Sequence, residues 1–333
     1  MRRTSDYVWT AVGFCAVAFS LWLLINDLRG ISLAQVAQGF SAIPIRRWLL
    51  AFASTIVAYG ALAWYDRIGL AHLGHKLPWS FISLVSFTTY ALSHNIGASI
   101  FSGAVVRYRA YSTRGLSAPE VGLLVAFCSF TFILGELLLG GLLLTFAPEI
   151  ADRWTAVPHW WTRAAGLLML AAVALYAFGS LRHFPPMKIG GFELIYPRPN
   201  ILWRQLLAAP IEIIGAAGII YFTLPAAGNP GFIAVLGVFL GSFAVALASY
   251  APGGVGVLEY CFLKGMPDTP TADVLAALIA FRLLYLLIPL AFAIVVVFQF
   301  ERGRLGEILR LRAEGRGGLL SREPVTHESS RET

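Results

Sequence analysis

The chain has 333 residues, of which 58% are apolar and 13% charged, and its mean hydropathy is +0.72. That balance excludes an ordinary soluble domain and points to an integral membrane protein. The formal charge of +7 fits contact with anionic lipid at the cytoplasmic face, and no compact basic region is left over to bind nucleic acid.

The length accommodates about eight helices of roughly 20 residues. Val8 to Ile25 is the first predicted span. It follows Arg2 and Arg3 and lacks a small-residue cleavage pattern, so it reads as an anchor. Between Asp27 and Ile45, apolar residues recur at roughly helical spacing, which fits a surface helix or a plain loop. Trp48 to Tyr65 is the second span and ends at Trp64-Tyr65-Asp66-Arg67, where aromatic side chains mark an interface and Asp66 can pair with Arg67.

The third span, Leu77 to Leu92, runs into a polar interruption from Ala91 to Arg109 that holds His94, Asn95, Gly97, Gly103, Arg107 and Arg109. Hydrocarbon offers broken backbone no hydrogen-bond partner, so such a segment is expected to be buried in protein or to line a wet cavity. Pro119 to Phe146 is the fourth span, with Glu136 inside it, and Trp160 and Trp161 precede the fifth, Thr162 to Leu181. A Pro- and Gly-rich linker, Arg182 to Asn200, leads to the sixth span, Trp203 to Leu224, which carries Glu212. The seventh, Gly231 to Ala251, runs into a second interruption, Pro252-Gly253-Gly254-Val255-Gly256-Val257-Leu258-Glu259, and the eighth, Asp273 to Phe300, contains Arg282.

The two interruptions and the segments after them correspond: Pro119-Glu120-Val121 and Ala126-Phe127 match Ala272-Asp273-Val274 and Ala280-Phe281. The fold expected is therefore an all-α membrane domain over residues 1–300, built from two tandem four-span copies at about 8–146 and 162–300. Each copy carries a Gly-rich broken or re-entrant segment. A charged tail, 301–333, is expected to be disordered. Its arginines and those at the N-terminus place both ends in the cytoplasm, although Arg46 and Arg47 then fall on the outer side.

A charge at a helix centre costs ~2.5–3.5 kcal/mol on insertion scales, so Glu136, Glu212 and Arg282 each need a partner or a purpose. Arginine suits a phosphate, because its planar fork donates two parallel hydrogen bonds, whereas a carboxylate suits an ammonium. His94 and Glu136 are candidates for proton coupling, with simple hydrogen bonding as the alternative for His94 and a structural role for Glu136. The remaining histidines and Cys15, Cys128 and Cys261 show no metal-ligand spacing, and no nucleotide loop or nucleophile elbow is present. Neither cofactor, metal nor catalytic residue is expected.

Tyr65-Asp66, Ser93-His94-Asn95-Ile96-Gly97 through Arg107-Tyr108-Arg109, Gly115-Leu116-Ser117-Ala118 and Pro252 to Glu259 together resemble a known module. It is the N-terminal membrane part of the lysylphosphatidylglycerol synthetase/flippases, the multiple peptide resistance factors, and the similarity runs from about residue 5 to 300. The resemblance implies a flippase-like module of bacterial inner membranes, which in two-part members moves aminoacylated phosphatidylglycerol outward and contributes to antimicrobial peptide resistance. It also implies that Asp66, Arg107 and Glu212 are the charged residues used. The family's tRNA-dependent lysyltransferase part has no counterpart after Phe300, so synthesis is not expected. The reading is a phospholipid transporter with Asp66, Asn95, Arg107, Arg109, Glu212, Glu259 and Arg282 at the headgroup and Gly97, Gly103, Gly253, Gly254 and Gly256 at the breaks. Alanine at Arg107 is expected to abolish transport without lowering abundance. The alternatives are a non-transporting partner of a separate lipid-modifying enzyme and, third, an aminoacyl-phospholipid synthase.

Overall fold

The computed structural model describes residues 33–300 apart from 97, 98, 186, 190, 191, 195, 227 and 250. The expected first span, Gly97 and the tail from Glu301 lie outside the described residues. Helix α1 (Leu33–Ser41) occupies the stretch left open between helix and loop; it lies against the last helix, where the Cα of Gly39 comes close enough that a Cβ would sit 3.2 Å from Asp273.

Helix α2 (Ile45–His72) starts after Pro44, whose missing N–H costs nothing at a helix start. Its 28 residues make it about 42 Å long, more than the ~30 Å hydrocarbon thickness requires. Helices α3 (Trp79–Ile96) and α4 (Ser99–Tyr111) fold back on each other. A Cβ on Gly103 of α4 would lie 3.3 Å from Thr89 and 3.7 Å from Ser93 of α3. Helix α5 (Ala118–Phe146) is opened by Ser117 and Glu120; the Glu120 carboxylate accepts from the Ser117 amide at 2.8 Å and hydroxyl at 2.6 Å. Helix α6 (His159–Leu181) follows.

The linker contains a small antiparallel hairpin, β1 (Met187–Ile189) with β2 (Phe192–Leu194), in the register Lys188 opposite Glu193. Apart from this hairpin of six strand residues, the regular elements among the described residues are helical, as the all-α class requires. Helix α7 (Pro199–Thr223) then enters the core, and Arg47 of α2 donates to the carbonyl of Leu224 just past its end. A basic side chain there satisfies an orphan carbonyl and complements the helix dipole, which gives Arg47 a structural task independent of which side of the membrane it faces. Helix α8 (Phe232–Ala248) and helix α9 (Val257–Gly265) form a second hairpin, with a Cβ on Gly265 falling 2.8 Å from Val238. Helix α10 (Thr271–Phe300) closes the bundle and contains a π-helical turn at Arg282–Leu287.

Five of these helices, α2, α5, α6, α7 and α10, are long and apolar enough to cross a membrane. They coincide with five of the eight expected spans. Two more expected spans are first limbs of hairpins: α3 with 18 residues and the apolar α8 with 17. The order long helix, helical hairpin, long helix occurs twice, as α2–α5 and as α7–α10.

Close helix contact here depends on small residues, as expected where lipid competes with side chains for every apolar surface. A Cβ on Gly135 of α5 would lie 2.3 Å from the Ala209 Cβ of α7, and one on Gly166 of α6 would lie 2.8 Å from the Gly141 carbonyl of α5. Between α2 and α7 the approach is of backbone on backbone: a Cβ on Gly215 would meet the Ala58 amide at 2.9 Å and the Ser54 carbonyl at 3.0 Å. A buried polar triad joins α5, α6 and α7, with the Tyr176 hydroxyl donating to Gln205 and Gln205 donating to Thr131, each at 2.8 Å.

Candidate functional site

The turn of the second hairpin adjoins the last turn of α3: a Cβ on Gly253 would lie 3.6 Å from the His94 carbonyl. Gly253, Gly254 and Gly256 have φ of 60°, 63° and 80°, a region that L side chains rarely adopt. They let the chain reverse between α8 and α9.

Asp66 and Arg107 form the most buried ion pair among the described residues. Arg107 Nη2 donates to Asp66 Oδ1 at 2.7 Å and Nε reaches both oxygens at 3.2 Å. Tyr111 donates to Oδ2 at 2.8 Å, and the Cys128 thiol lies 3.5 Å from Oδ1. The guanidinium also stacks 4.8 Å from the Tyr90 ring centroid. Asp66 is 0% exposed. The alternative pairing of Asp66 with Arg67 is thus not formed, because α2 turns Asp66 inward and Arg67 outward. Removing Arg107 would leave a buried carboxylate without its cation, so alanine there is expected to lower stability as well as any activity.

Glu259 and Arg282 form a second pair at 2.5 Å. Arg282 Nη1 donates to the Gly253 carbonyl at 3.2 Å, and Glu259 Oε2 accepts the Gly256 amide at 2.8 Å, capping α9. Asn95, read as a headgroup ligand, spends its amide on backbone: Nδ2 donates to Ala91 at 2.8 Å and to Leu286 at 3.2 Å. Arg109 is exposed on α4 and does not line the cavity described next. Glu136 is half-buried on α5 with Oε1 lacking a hydrogen-bond partner among the described residues, and it too stands outside that cavity.

A cavity of about 420 Å³ opens between the hairpins and the long helices. Tyr65, Tyr90, His94, Arg107, Glu212 and Tyr285 supply polar groups to a wall that is otherwise largely apolar. Glu212 accepts the Tyr285 hydroxyl at 2.6 Å on Oε1. Its Oε2, the Tyr65 hydroxyl and His94 Nδ1 are buried without a hydrogen-bond partner among the described residues. His94 stacks on Tyr285, centroid to centroid at 5.4 Å and 21° between planes. Buried polar atoms are normally satisfied, so three converging on one cavity make it the candidate binding site.

Tyr285 itself was not visible as a site residue. It sits in the π turn of α10, where the lengthened hydrogen-bond spacing leaves carbonyls to be satisfied from outside. Tyr59 donates to the Tyr285 carbonyl at 2.9 Å, and Asn95 takes that of Leu286. A tyrosine in the middle of an apolar span is the signal that was available, since its hydroxyl needs a partner when buried. Among the described residues no three His, Cys, Asp or Glu side chains come together to hold a metal ion.

A family model described as the lysylphosphatidylglycerol synthase TM region matches residues 11–293. The chain belongs to that family. The chain is 31% identical over 325 residues to inner membrane protein YbhN of Escherichia coli, covering 95% of this chain and 98% of that one. It is 30% identical over 292 residues to protein slr0712 of Synechocystis, covering 87% and 91%. A phosphatidylglycerol lysyltransferase of Staphylococcus haemolyticus is 26% identical over 301 residues, which take in 88% of this chain but 34% of the enzyme. Within the lysylphosphatidylglycerol synthase TM-region family, the matched segment thus contains the cavity and both ion pairs, and the membership makes this a membrane protein with a lipid-related role.

Proposed function

We propose that the chain is a transporter that moves a polar phospholipid between the leaflets of a bacterial inner membrane, with aminoacylated phosphatidylglycerol as the leading substrate class. One observation carries the reading: Glu212 Oε2, Tyr65 Oη and His94 Nδ1 have no hydrogen-bond partner among the described residues and lie on an otherwise largely apolar cavity beside the turn at Gly253. A cationic or hydrogen-bonding headgroup would engage them while its tails stay in lipid. Arg107, which lines the same cavity, would face the phosphate while remaining bound to Asp66.

In this reading the repeated order of elements reflects two four-span copies, with Val8 to Ile25 as the first span of the first copy and both termini in the cytoplasm. His94 and Glu136 are its candidates for proton coupling. The likeness to YbhN supports the inner membrane, and the likeness to the lysyltransferase supports the lipid class. Lysine transfer itself is not part of the proposal, since the matched third of that enzyme contributes no assigned chemistry here.

The test is movement of fluorescent lysyl-phosphatidylglycerol, phosphatidylglycerol and a neutral lipid by purified protein in liposomes. Glu212→Gln retains an acceptor for Tyr285 and removes only the charge, so headgroup-selective movement should fall about tenfold or more while the fold persists. Equal movement by the variant would remove Glu212 from the site. No movement of any lipid by folded protein would favour a non-transporting partner of a lipid-modifying enzyme.

A further inference from the structure

A second hollow, of about 360 Å³, lies on the opposite face of α2 from the cavity. Leu62 and Tyr65 of α2 face the cavity, whereas Val57, Gly60, Ala61 and Trp64 face the hollow. Ile211 of α7 borders it, and Arg67 and Trp79 stand at one end. Val57 and Ile211 are exposed, as befits a lipid-facing surface, and a Cβ on Gly60 would meet no atom within 4 Å.

Arg67 is the unexplained group. It is exposed on a helix long and apolar enough to span, and its guanidinium is held 5.0 Å from the Trp79 ring centroid. It makes no ion pair among the described residues, and the adjacent Asp66 is consumed by Arg107. A lipid-facing arginine is rare unless something supplies its counter-charge. Arg67 stands five residues before the end of α2. In a helix of about 42 Å centred on ~30 Å of hydrocarbon, its Cα lies ~13 Å from the midplane, just inside the hydrocarbon edge, and its long side chain extends outward to the lipid phosphates. Trp64 and Trp79 beside it suit the same interface.

We propose that this hollow is a binding site for a phospholipid of the surrounding bilayer, with the phosphodiester on Arg67 and one acyl chain along Gly60 and Val57. The guanidinium, poised by Trp79, donates to the phosphate oxygens, and the chain fills the gap that the missing Gly60 side chain leaves. The site stands apart from the proposed transport route, because α2 separates them, and it does not rest on transport.

Native mass spectrometry of the protein, extracted in mild detergent from membranes and washed with phospholipid-free detergent, tests this directly. The wild type should retain one phospholipid per chain that Arg67→Gln and Gly60→Leu each lose, with occupancy falling about tenfold. Arg67 is exposed, so its substitution tests the site even where leucine perturbs α2; size-exclusion profiles and unfolding midpoints check that both variants remain folded. Wild-type occupancy in folded Arg67→Gln would overturn the proposal, and so would a wild type that retains no phospholipid. Lipid movement in liposomes, measured alongside, reads the transport proposal separately.

Discussion

Arg107 on α4 and Glu259 on α9 sit on the second limbs of the two hairpins, and each meets an opposite charge on a longer helix. The first pair is sealed, with side chains 5% and 0% exposed, and Tyr111 and Cys128 complete the coordination of its carboxylate. The second is looser, at 20% and 12% exposed, and spends its remaining bonds on backbone at the break itself, on Gly253 and Gly256. Arg282 Nη2 has no hydrogen-bond partner among the described residues. The first pair therefore bolts a hairpin to α2, while the second clasps a turn. Burial and saturation, rather than charge alone, separate a structural pair from one able to exchange partners.

The largest expected effect breaks the first pair. Asp66→Ala should cost about 3–5 kcal/mol, because a buried guanidinium loses its counter-charge; unfolding midpoints in detergent and membrane abundance would both drop. Asp66→Leu combined with Arg107→Met should recover much of that loss, since it leaves no charge stranded. Glu259→Gln should cost less, about 1–3 kcal/mol for weakened charged hydrogen bonds, and the same midpoints would rank it below Asp66→Ala. If the two single variants lost equal stability, the distinction between bolt and clasp would fail. Smallest in stability is Tyr285→Phe, at about 1 kcal/mol for one hydrogen bond, yet it should slow lipid movement because Glu212 loses the donor that orients it.

Five of the expected spans were legible because apolarity sustained over some 20 residues is a strong and local signal. The turn at Gly253 to Gly256 was legible for a related reason: glycines stand out within such runs. Partnership was not legible. Asp66 and Arg107 are 41 residues apart, and Glu212 and Tyr285 are 73 apart, so adjacency suggested Arg67 as the partner of Asp66. Asn95 looked like a ligand until its amide was found bridging two backbone carbonyls, one exposed by a π turn that leaves no mark in composition.

The glycine contact between α2 and α7 has a mechanical consequence. Main chain lies on main chain there, and a Cβ on Gly218 would likewise sit 2.9 Å from the Ser54 hydroxyl. Sliding one helix along the other by a single residue would drive a side chain into backbone, so the pair behaves as one rigid strut. A guest too large for the gap cannot be admitted by parting that strut. If the chain moves lipid as proposed, widening of the cavity would come from the two hairpins swinging about this strut, with the bolt at Asp66 limiting one arc and the clasp at Arg282 permitting more of the other.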